Sequence, residues 1–575
     1  MSVCRPFFTG HIDPDALLPY PEMTPDESES LEMLRDSLRR WGRERVDSRV
    51  IDEEARIPRE VLEGLAELGV FGIIVPEEYD GFGASSTFYA KAFEALATID
   101  GAIVVTVGAH ESIGLKGILQ FGTEEQKRRF LPPLARGEQL AAFALTEPTS
   151  GSDAASIRTR ATWSEERGAW ILDGTKIWIT NGGLAEVFTV FAQTAVERGG
   201  ETVDRITAFI VPRSLPGVSS GPEEHKLGIR GSSTTEVHFE DVAVPPDLVL
   251  GEVGGGFKVA MEVLNSGRLG LAAGCVGGMK LLLAEATRHA LEREQFGRPI
   301  SEFELIRKKL AGMALEIYGI ESMVYLTTGM VDRGSEDYSL ESAICKVRAS
   351  EAGWRVVNEA LQIAGGMGYM KEYPFERYLR DARINLIFEG TNEILRLYTA
   401  LSGLEAPGEH LKAVARALKD PIKQLGLLTD YARGRALRAI HKPELPELHP
   451  LVAEPARALP EWVAEFAGTV EWALRRHGGE IVERQMVLER LADAVGDLFL
   501  IAAVVSRADR GCRLETGVAA EAHATRARLI VNEAWRRVRR NLARVRAYPD
   551  NDVRVVAAEV LSSEGADLPG RLPAP

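Results

Sequence analysis

Cysteine is scarce, with four in 575 residues at positions 4, 275, 345 and 512. They form no CxxC pair and have no histidine at ligand spacing, which excludes a disulfide scaffold and a zinc site. Long apolar runs are missing too. The longest wholly apolar run, Leu498–Val505, is far below the roughly 20 residues a bilayer-crossing helix needs, so no span is expected. Positive charge is in deficit, 68 Lys and Arg against 84 Asp and Glu, a net charge of −16. A chain of that sign is not built to neutralise phosphate backbones, and nucleic acid is not expected as a partner. GFGASS at 81–86 lacks the third glycine of a dinucleotide loop, and there is no GxxxxGK[ST], HExxH, GxSxG or DxDxDG. Rossmann, P-loop, zinc-protease, serine-hydrolase and calcium-loop readings are disfavoured together. The stretch MSVCRPFFTGHIDPDALLPYPE has a single Arg and early Asp residues, unlike a signal or transit peptide, so the cytoplasm is the expected compartment.

What is present is an ordinary globular composition, 45% hydrophobic and 26% charged. The length suits about three to five packing units of roughly 100–200 residues each. Residues 25 to about 140 read as helices. PDESESLEMLRDSLRRWGRE opens on Pro and acids, carries Leu31, Leu34 and Leu38 on one face and ends in arginines, as a helix dipole favours; IPREVLEGLAELGV stops at Gly69. From Ala141 the period shortens. AAFALTE, RTRATWS, AWILDG, KIWIT, VFTVFAQTA, ITAFIVPRS and TTEVHFEDVAV are short, β-branched or aromatic, and separated by turn residues, which predicts a β domain ending near Pro245. Long helical patterns return from Gly256 to about Leu404. After a Gly/Pro-punctuated stretch, Leu488, Leu491, Val495, Leu498, Ala502 and Val505 recur at the spacing of one buried helix face. The expected domains are 1–140 (helical), 141–248 (β), 249–403 (helical) and 404–575 (a C-terminal helical extension).

The strings suited to chemistry are ALTEPTSGSDAASIRT (144–159), KIWITNGG (176–183), REQFGRPI (293–300), LQIAGGMGYMKEYPFER (361–377) and FEGTNEILRLY (388–398). Trp178 can cover the face of an apolar ring, and Thr180, two residues along a strand, projects a hydroxyl from the same side. Arg293 is an always-charged fork suited to pyrophosphate oxygens, with Phe296 as a stacking face. Gln362, Gly365 and Gly366 follow a helix, where the glycines allow close backbone approach or a C-cap; both readings stand. Glu389 follows Leu386, Ile387 and Phe388, an apolar setting that raises a carboxyl pKa toward the working pH and makes a better base.

In this order, with helix, sheet and helix around them, these strings resemble the acyl-CoA dehydrogenase family. GAHESIGLKGILQFGT, LGEVGGGFKVAMEVLNSGRLG and the tail segment IVERQMVLERLADAVGDL resemble its very-long-chain branch. The resemblance implies an α+β, mostly α fold: a helical domain, a central β-barrel-like domain, a helical bundle and an extra C-terminal helical domain. It implies FAD, bound by Leu145, Thr146, Ser152, Trp178, Ile179, Thr180, Arg293, Phe296, Gln362, Gly365, Gly366, Thr391, Asn392 and Glu393. In the family Arg293 and Phe296 meet the FAD of a neighbouring subunit, which implies a homodimer. Glu389 is then the catalytic base, while Ser152, Asn265, Arg268 and Gly390 meet the acyl-CoA; no metal is required. The implied reaction is α,β-dehydrogenation of a long- or very-long-chain fatty acyl-CoA to trans-2-enoyl-CoA, the first step of β-oxidation, with electrons passing to an electron-transferring flavoprotein. Val105, Gly108 and Ala109 match the channel floor and leave room for a long chain. An acyl-CoA oxidase, and a respiratory-complex assembly factor with weak dehydrogenase activity, are alternatives that stay open.

Residues 411–442 reverse the overall sign. Lys412, Arg416, Lys419, Lys423, Arg433, Arg435, Arg438 and Lys442 stand against Asp420 and Asp430, a local +6. Leu411, Val414, Leu418, Ile422 and Leu425 recur at helical spacing, so a peripheral contact with the inner face of a membrane is expected, beside the reading that the stripe packs on the protein itself.

Overall fold

The computed structural model of the chain describes residues 2–417 and 445–562. Helix α1 (Pro25–Arg45) starts at a reciprocal cap in which Thr24 accepts from the Glu27 N–H and the Glu27 carboxylate from the Thr24 N–H; it buries Leu31 and Leu38. Gly69, just past the helix Arg59–Glu67, has φ 72° and ends it. Helix α2 (Ser86–Leu96) is largely buried. Helix α3 (Gly101–Gly108) is capped by Asp100, which accepts from the Ala102 and Ile103 N–H groups. It passes at Ala109–Gly114 into a π-helix, a conformation frequent at functional sites.

The β domain is one sheet of β1 (Ala141–Ala144), β2 (Arg160–Ser164), β3 (Ala169–Thr180), β4 (Val187–Arg198), β5 (Glu201–Pro212), β6 (Val218–Glu223), β7 (Thr234–Val244) and β8 (Val249–Leu250). Its order is β6-β7-β3-β2-β4-β5-β8, with β1 parallel to β4. Two expectations are corrected. AWILDG and KIWIT are one strand, β3, whose register against β7 shifts between Leu172 and Gly174 and again between Lys176 and Ile179. VSSGPE forms the edge strand β6, which pattern reading misses because it has almost no apolar residue to alternate.

Helices α4 (Gly256–Glu292), α5 (Glu304–Asp332) and α6 (Ser339–Ala364) pack on one another, and α4 also packs on α2. Helix α7 (Asn392–Ala417) runs straight across the expected boundary at 403. Gly403 does not break it; a Cβ there would lie 2.1 Å from the Phe8 ring, so the glycine admits a side chain from the other end of the chain. Phe8 also meets Phe466 edge-on at 5.0 Å. In the extension, α8 (Gln485–Leu514) and α9 (Val518–Arg546) pack side by side and α8 lies on α5. The expected stripe of α8 is buried and belongs to the same apolar cluster as Leu31 and Leu38 of α1. At the seam a Cβ on Gly319 would lie 3.0 Å from Leu500 Cδ1, and Glu321 pairs at 2.5 Å with both Arg507 of α8 and Lys280 of α4.

The stretches 101–121 and 256–292 are long and apolar enough by composition to cross a bilayer, contrary to the expectation from unbroken runs; both are core helices, more than half buried over those windows. All four cysteines are free and buried. The basic segment 411–442 lies, from residue 418 on, outside the described residues.

Candidate active site

The loop before α7 carries Glu389 and Gly390 at φ 59° and 91°. Left-handed backbone at a glutamate is uncommon and needs support from its surroundings. Arg268 Nε donates to the Glu389 carbonyl at 3.2 Å, and Lys346 Nζ donates to the Gly390 carbonyl at 2.7 Å and to Asn392 Oδ1 at 2.9 Å. The carboxyl faces α4 at Gly267, where a Cβ would come within 2.8 Å of Oε2. That oxygen is buried and has no partner among the described residues. Burial pushes the Glu389 pKa up to about 7, against the downward pull of Arg268 and Lys346. A carboxyl poised there takes up a proton readily near neutral pH.

Glu389 lines a cavity of about 180 Å³. One wall is the glycine row Gly267, Gly270, Gly274 and Gly278, spaced three and four residues apart on one face of α4. Val105, Gly108 and Ala109 line it from the end of α3, and Val104 Cγ2 would be 3.9 Å from a Cβ on Gly274. Walls of backbone and small side chains make an apolar slot suited to an alkyl chain. Asp100 and Asp381 also line it, but Asp100 caps α3 and Asp381 accepts from the Ile229 N–H at 2.5 Å. Their carboxyls hold backbone, whereas Glu389 keeps a buried oxygen for the slot.

Thr180 reaches the same cavity from β3. Trp178 does not sit in regular strand as expected; it has φ 56° at the register shift and is 63% exposed. A bulge re-aims a side chain, and here it turns the indole out of the sheet. The Ile179 side chain is 2% exposed within the β core, which leaves its backbone to a cofactor. Leu145 and Thr146 are tied to β3, since the Ile177 N–H donates to the Thr146 carbonyl at 3.0 Å and Lys176 Nζ to the Leu145 carbonyl at 3.1 Å. Ser152 lies in an exposed turn after them.

Arg268 is positioned by the base and by α4. It is 7% exposed and bonded to the Glu389 carbonyl and to Asn265 Oδ1 at 3.0 Å, so it holds the base's backbone. The Asn392 side chain, expected at FAD, is buried between Lys346 and Ser350, to whose Oγ its amide donates at 3.0 Å. Thr391 precedes α7 and accepts from the Ile394 N–H at 3.3 Å, and Glu393 is exposed.

Arg293, Phe296, Gln362, Gly365 and Gly366 lie outside this cavity. Arg293 caps α4, and a hairpin pairing Gln295 with Arg298 follows. Its two turn residues, Phe296 and Gly297, have φ 53° and 78°, as a type I′ turn requires, which leaves Phe296 93% exposed. Gly365 ends α6 at φ 61°, its N–H donating to the Leu361 and Gln362 carbonyls, so the C-cap reading holds. A Cβ at Gly365 or Gly366 would meet nothing within 4 Å, so backbone approach from outside is open too.

The residues present fit FAD. Trp178 offers an exposed indole two residues from Thr180, and Thr180 lines the slot that also holds Glu389, whose Oε2 has no partner among the described residues. Sequence reasoning missed Lys346 and Tyr398, whose ring lies 5.9 Å from the Arg268 guanidinium. The available signal for Lys346 was a lysine set among the small and apolar residues of SAICKVRAS.

Family models of acyl-CoA dehydrogenase match the chain in succession: the N-terminal domain at 28–138, the middle domain at 142–242, the C-terminal domain at 254–403, and the ACAD9/ACADV C-terminal domain at 450–566. The mitochondrial very long-chain specific acyl-CoA dehydrogenase of Bos taurus is 46% identical over 517 residues, 88% of this chain and 78% of that protein. A crystal structure of an acyl-CoA dehydrogenase complexed with FAD from Bacillus anthracis is similar at TM-score 0.78 and 32% identity, covering 94% of this chain and 91% of that one. A chain in a structure titled as the electron transferring flavoprotein of Acidaminococcus fermentans is similar at TM-score 0.62 and 38% identity, covering 67% and 99%. Agreement that runs through the helical, sheet and second helical domains in turn, at an identity well above what a shared fold requires, makes this chain a member of the acyl-CoA dehydrogenase family.

Proposed function

We propose that the protein oxidises long- or very-long-chain fatty acyl-CoA to the trans-2-enoyl-CoA, with Glu389 as the base. The observation that carries this is the buried, unpartnered Oε2 of Glu389 at a slot walled by glycines. Trp178, Thr180 and the backbone of Leu145 and Thr146 would hold FAD, which would supply the acceptor for the β hydrogen. Glu389 takes the α proton, its backbone N–H faces the charge that develops on the thioester oxygen, and Arg268 and Lys346 hold the loop that aims both. The slot excludes water from the reacting carbons. Its small lining residues and the similarity to the bovine protein both support a long chain.

The remaining partners follow from the same reading. An electron-transferring flavoprotein takes the electrons, an assignment supported by the similarity to the Acidaminococcus fermentans chain. A second copy of this chain receives the exposed Phe296 hairpin, with Arg293 at its base, beside its own cofactor. The basic segment 411–442 contacts the inner face of a membrane, which flotation with anionic liposomes before and after its deletion tests. Anaerobic titration of the flavin spectrum with butanoyl-, octanoyl- and palmitoyl-CoA tests the function itself. Palmitoyl-CoA is expected to bleach it best. Best bleaching by butanoyl-CoA would overturn the chain-length reading, and stoichiometric peroxide in air without another acceptor would favour the oxidase.

A further inference from the structure

Behind α4 lies a second cavity, of about 260 Å³. Helix α4 is the wall between the two, because Ser266 and Leu269 line the second cavity while their neighbours Gly267 and Gly270 line the acyl slot. The buried Tyr89 and the partly buried Lys116 line the second cavity, and the exposed Gln120 and Glu336 bring it to solvent.

Glu111 Oε2 and Glu389 Oε2 are buried without a partner among the described residues, and the buried Tyr89 Oη has only the Ser112 side chain beside it. They are neighbours. A Cβ on Gly270 would lie 3.4 Å from Tyr89 Oη and 3.8 Å from Ser112 Cβ, on the face of α4 that Glu389 touches one turn earlier at Gly267. The Tyr89 hydroxyl feels the charges of both Glu111 and Glu389, and Glu111 feels that of Lys116. Glu111 sits inside the π-helix, with Oε1 accepting from the Ile73 N–H at 2.5 Å. His110 beside it is committed elsewhere: Nδ1 accepts from the Ala141 N–H at 2.9 Å, Nε2 bonds the Phe71 carbonyl at 3.1 Å, and burial holds its pKa down to about 4.

Each turnover breaks an α C–H bond and leaves its proton on Glu389, while the enoyl product still fills the slot. The base must lose that proton before it can act again. We propose that Tyr89 and Glu111, bridged by water, carry it from Glu389 into the second cavity and so to solvent. The Glu389 O–H bond breaks as a bridging oxygen accepts the proton, the Tyr89 hydroxyl and the Glu111 carboxyl pass one on in turn, and a proton leaves at the rim. No electrons move, and Glu389 ends as the carboxylate. The second cavity, which Tyr89 lines with Lys116, Ser86 and Glu336, has the polar walls and the room that water needs. Burial pushes Glu111 up to about 8, close to Glu389, so neither carboxyl traps the proton.

The path rests on Glu389 being the base. A long-chain 3-thiaacyl-CoA keeps an acidic α carbon but has sulfur in place of the β carbon, so it reports proton traffic at Glu389 without oxidation. Deuterium entering the α carbon in D₂O, followed by mass spectrometry at equal flavin content, is expected to slow about tenfold or more in Tyr89→Phe and in Glu111→Gln, less than the roughly 10²-fold that loss of the base itself costs because water can stand in for a relay group. Glu111→Asp, which retains a titrating carboxyl, is expected to recover part of the rate. Wild-type exchange in both Tyr89→Phe and Glu111→Gln would overturn the path and leave the base standing. Wild-type exchange in Glu389→Gln would overturn the base, and the path with it.

Discussion

Arg268 grips the backbone of Glu389 and leaves its carboxyl alone: Nε meets the carbonyl at 3.2 Å, and Oε2 has no partner among the described residues. A direct ion pair would hold the carboxyl ionised far below neutrality and make it a poor base. Bonding to the carbonyl fixes the left-handed loop and leaves only a distant electrostatic pull on the carboxyl. Position and basicity are thereby set by different atoms of one residue.

This separation predicts a pH profile. The rate of flavin reduction at low acyl-CoA concentration should rise through about pH 7 and level off above it, as the raised Glu389 carboxyl ionises. Arg268→Met and Lys346→Met each remove a charge that lowers this pKa, so the midpoint should move to higher pH. Stopped-flow reduction across a pH series checks the direction. Stability has the opposite sign: unfolded Glu389 ionises near 4.5, so its contribution is full below that value and declines as pH rises through about 7.

Glu389→Gln should give folded, flavin-loaded protein that binds acyl-CoA and does not bleach. The amide keeps the size of the side chain and removes the base, so the loss falls on the chemical step, by about 10²-fold or more. Single-turnover reduction against acyl-CoA binding separates the two effects.

Gly274→Leu should shorten the preferred chain with little harm to the fold, because the neighbour its Cβ would meet within 4 Å is Val104 Cγ2 at 3.9 Å and the rest of the side chain enters the slot. Each methylene of substrate displaced costs about 0.8 kcal/mol, roughly fourfold in affinity. Ala109→Glu should act in the same direction by setting a carboxylate against an apolar tail. The ratio of kcat/KM for palmitoyl- and octanoyl-CoA reads both.

Gly403→Ala should lower the melting temperature, since its methyl would stand 2.1 Å from the Phe8 ring. Overpacking of this kind costs about 1–3 kcal/mol. Pairing it with Phe8→Leu should recover part of the loss, and thermal unfolding of the single and double variants measures the coupling.

The strands from β1 to β7, β6 apart, were legible because short β-branched and aromatic runs are set off by turn residues. The turn of Trp178 out of that sheet was not, because a bulge with positive φ at a tryptophan leaves no mark in composition. Gly403 and Pro407 read as a break, yet the helix passes through them, since what Gly403 answers is Phe8, a tertiary contact that local propensity cannot register. Glu389 was readable from its apolar neighbours and its motif. Lys346 and Tyr89, which act on it or beside it, lie on helices whose pattern reports only that they face inward.

The seam between α5 and α8 also constrains how such a chain can change. Gly319 and Glu321 on α5 are shaped for Leu500 and Arg507, so the face they share suits contact and not water. A chain ending after α7 would uncover Gly319 and leave Glu321 without Arg507, and so expose a contact face on the catalytic unit. Loss of the extension is therefore not a neutral step: solubility alone is enough to tie the tail to the catalytic unit.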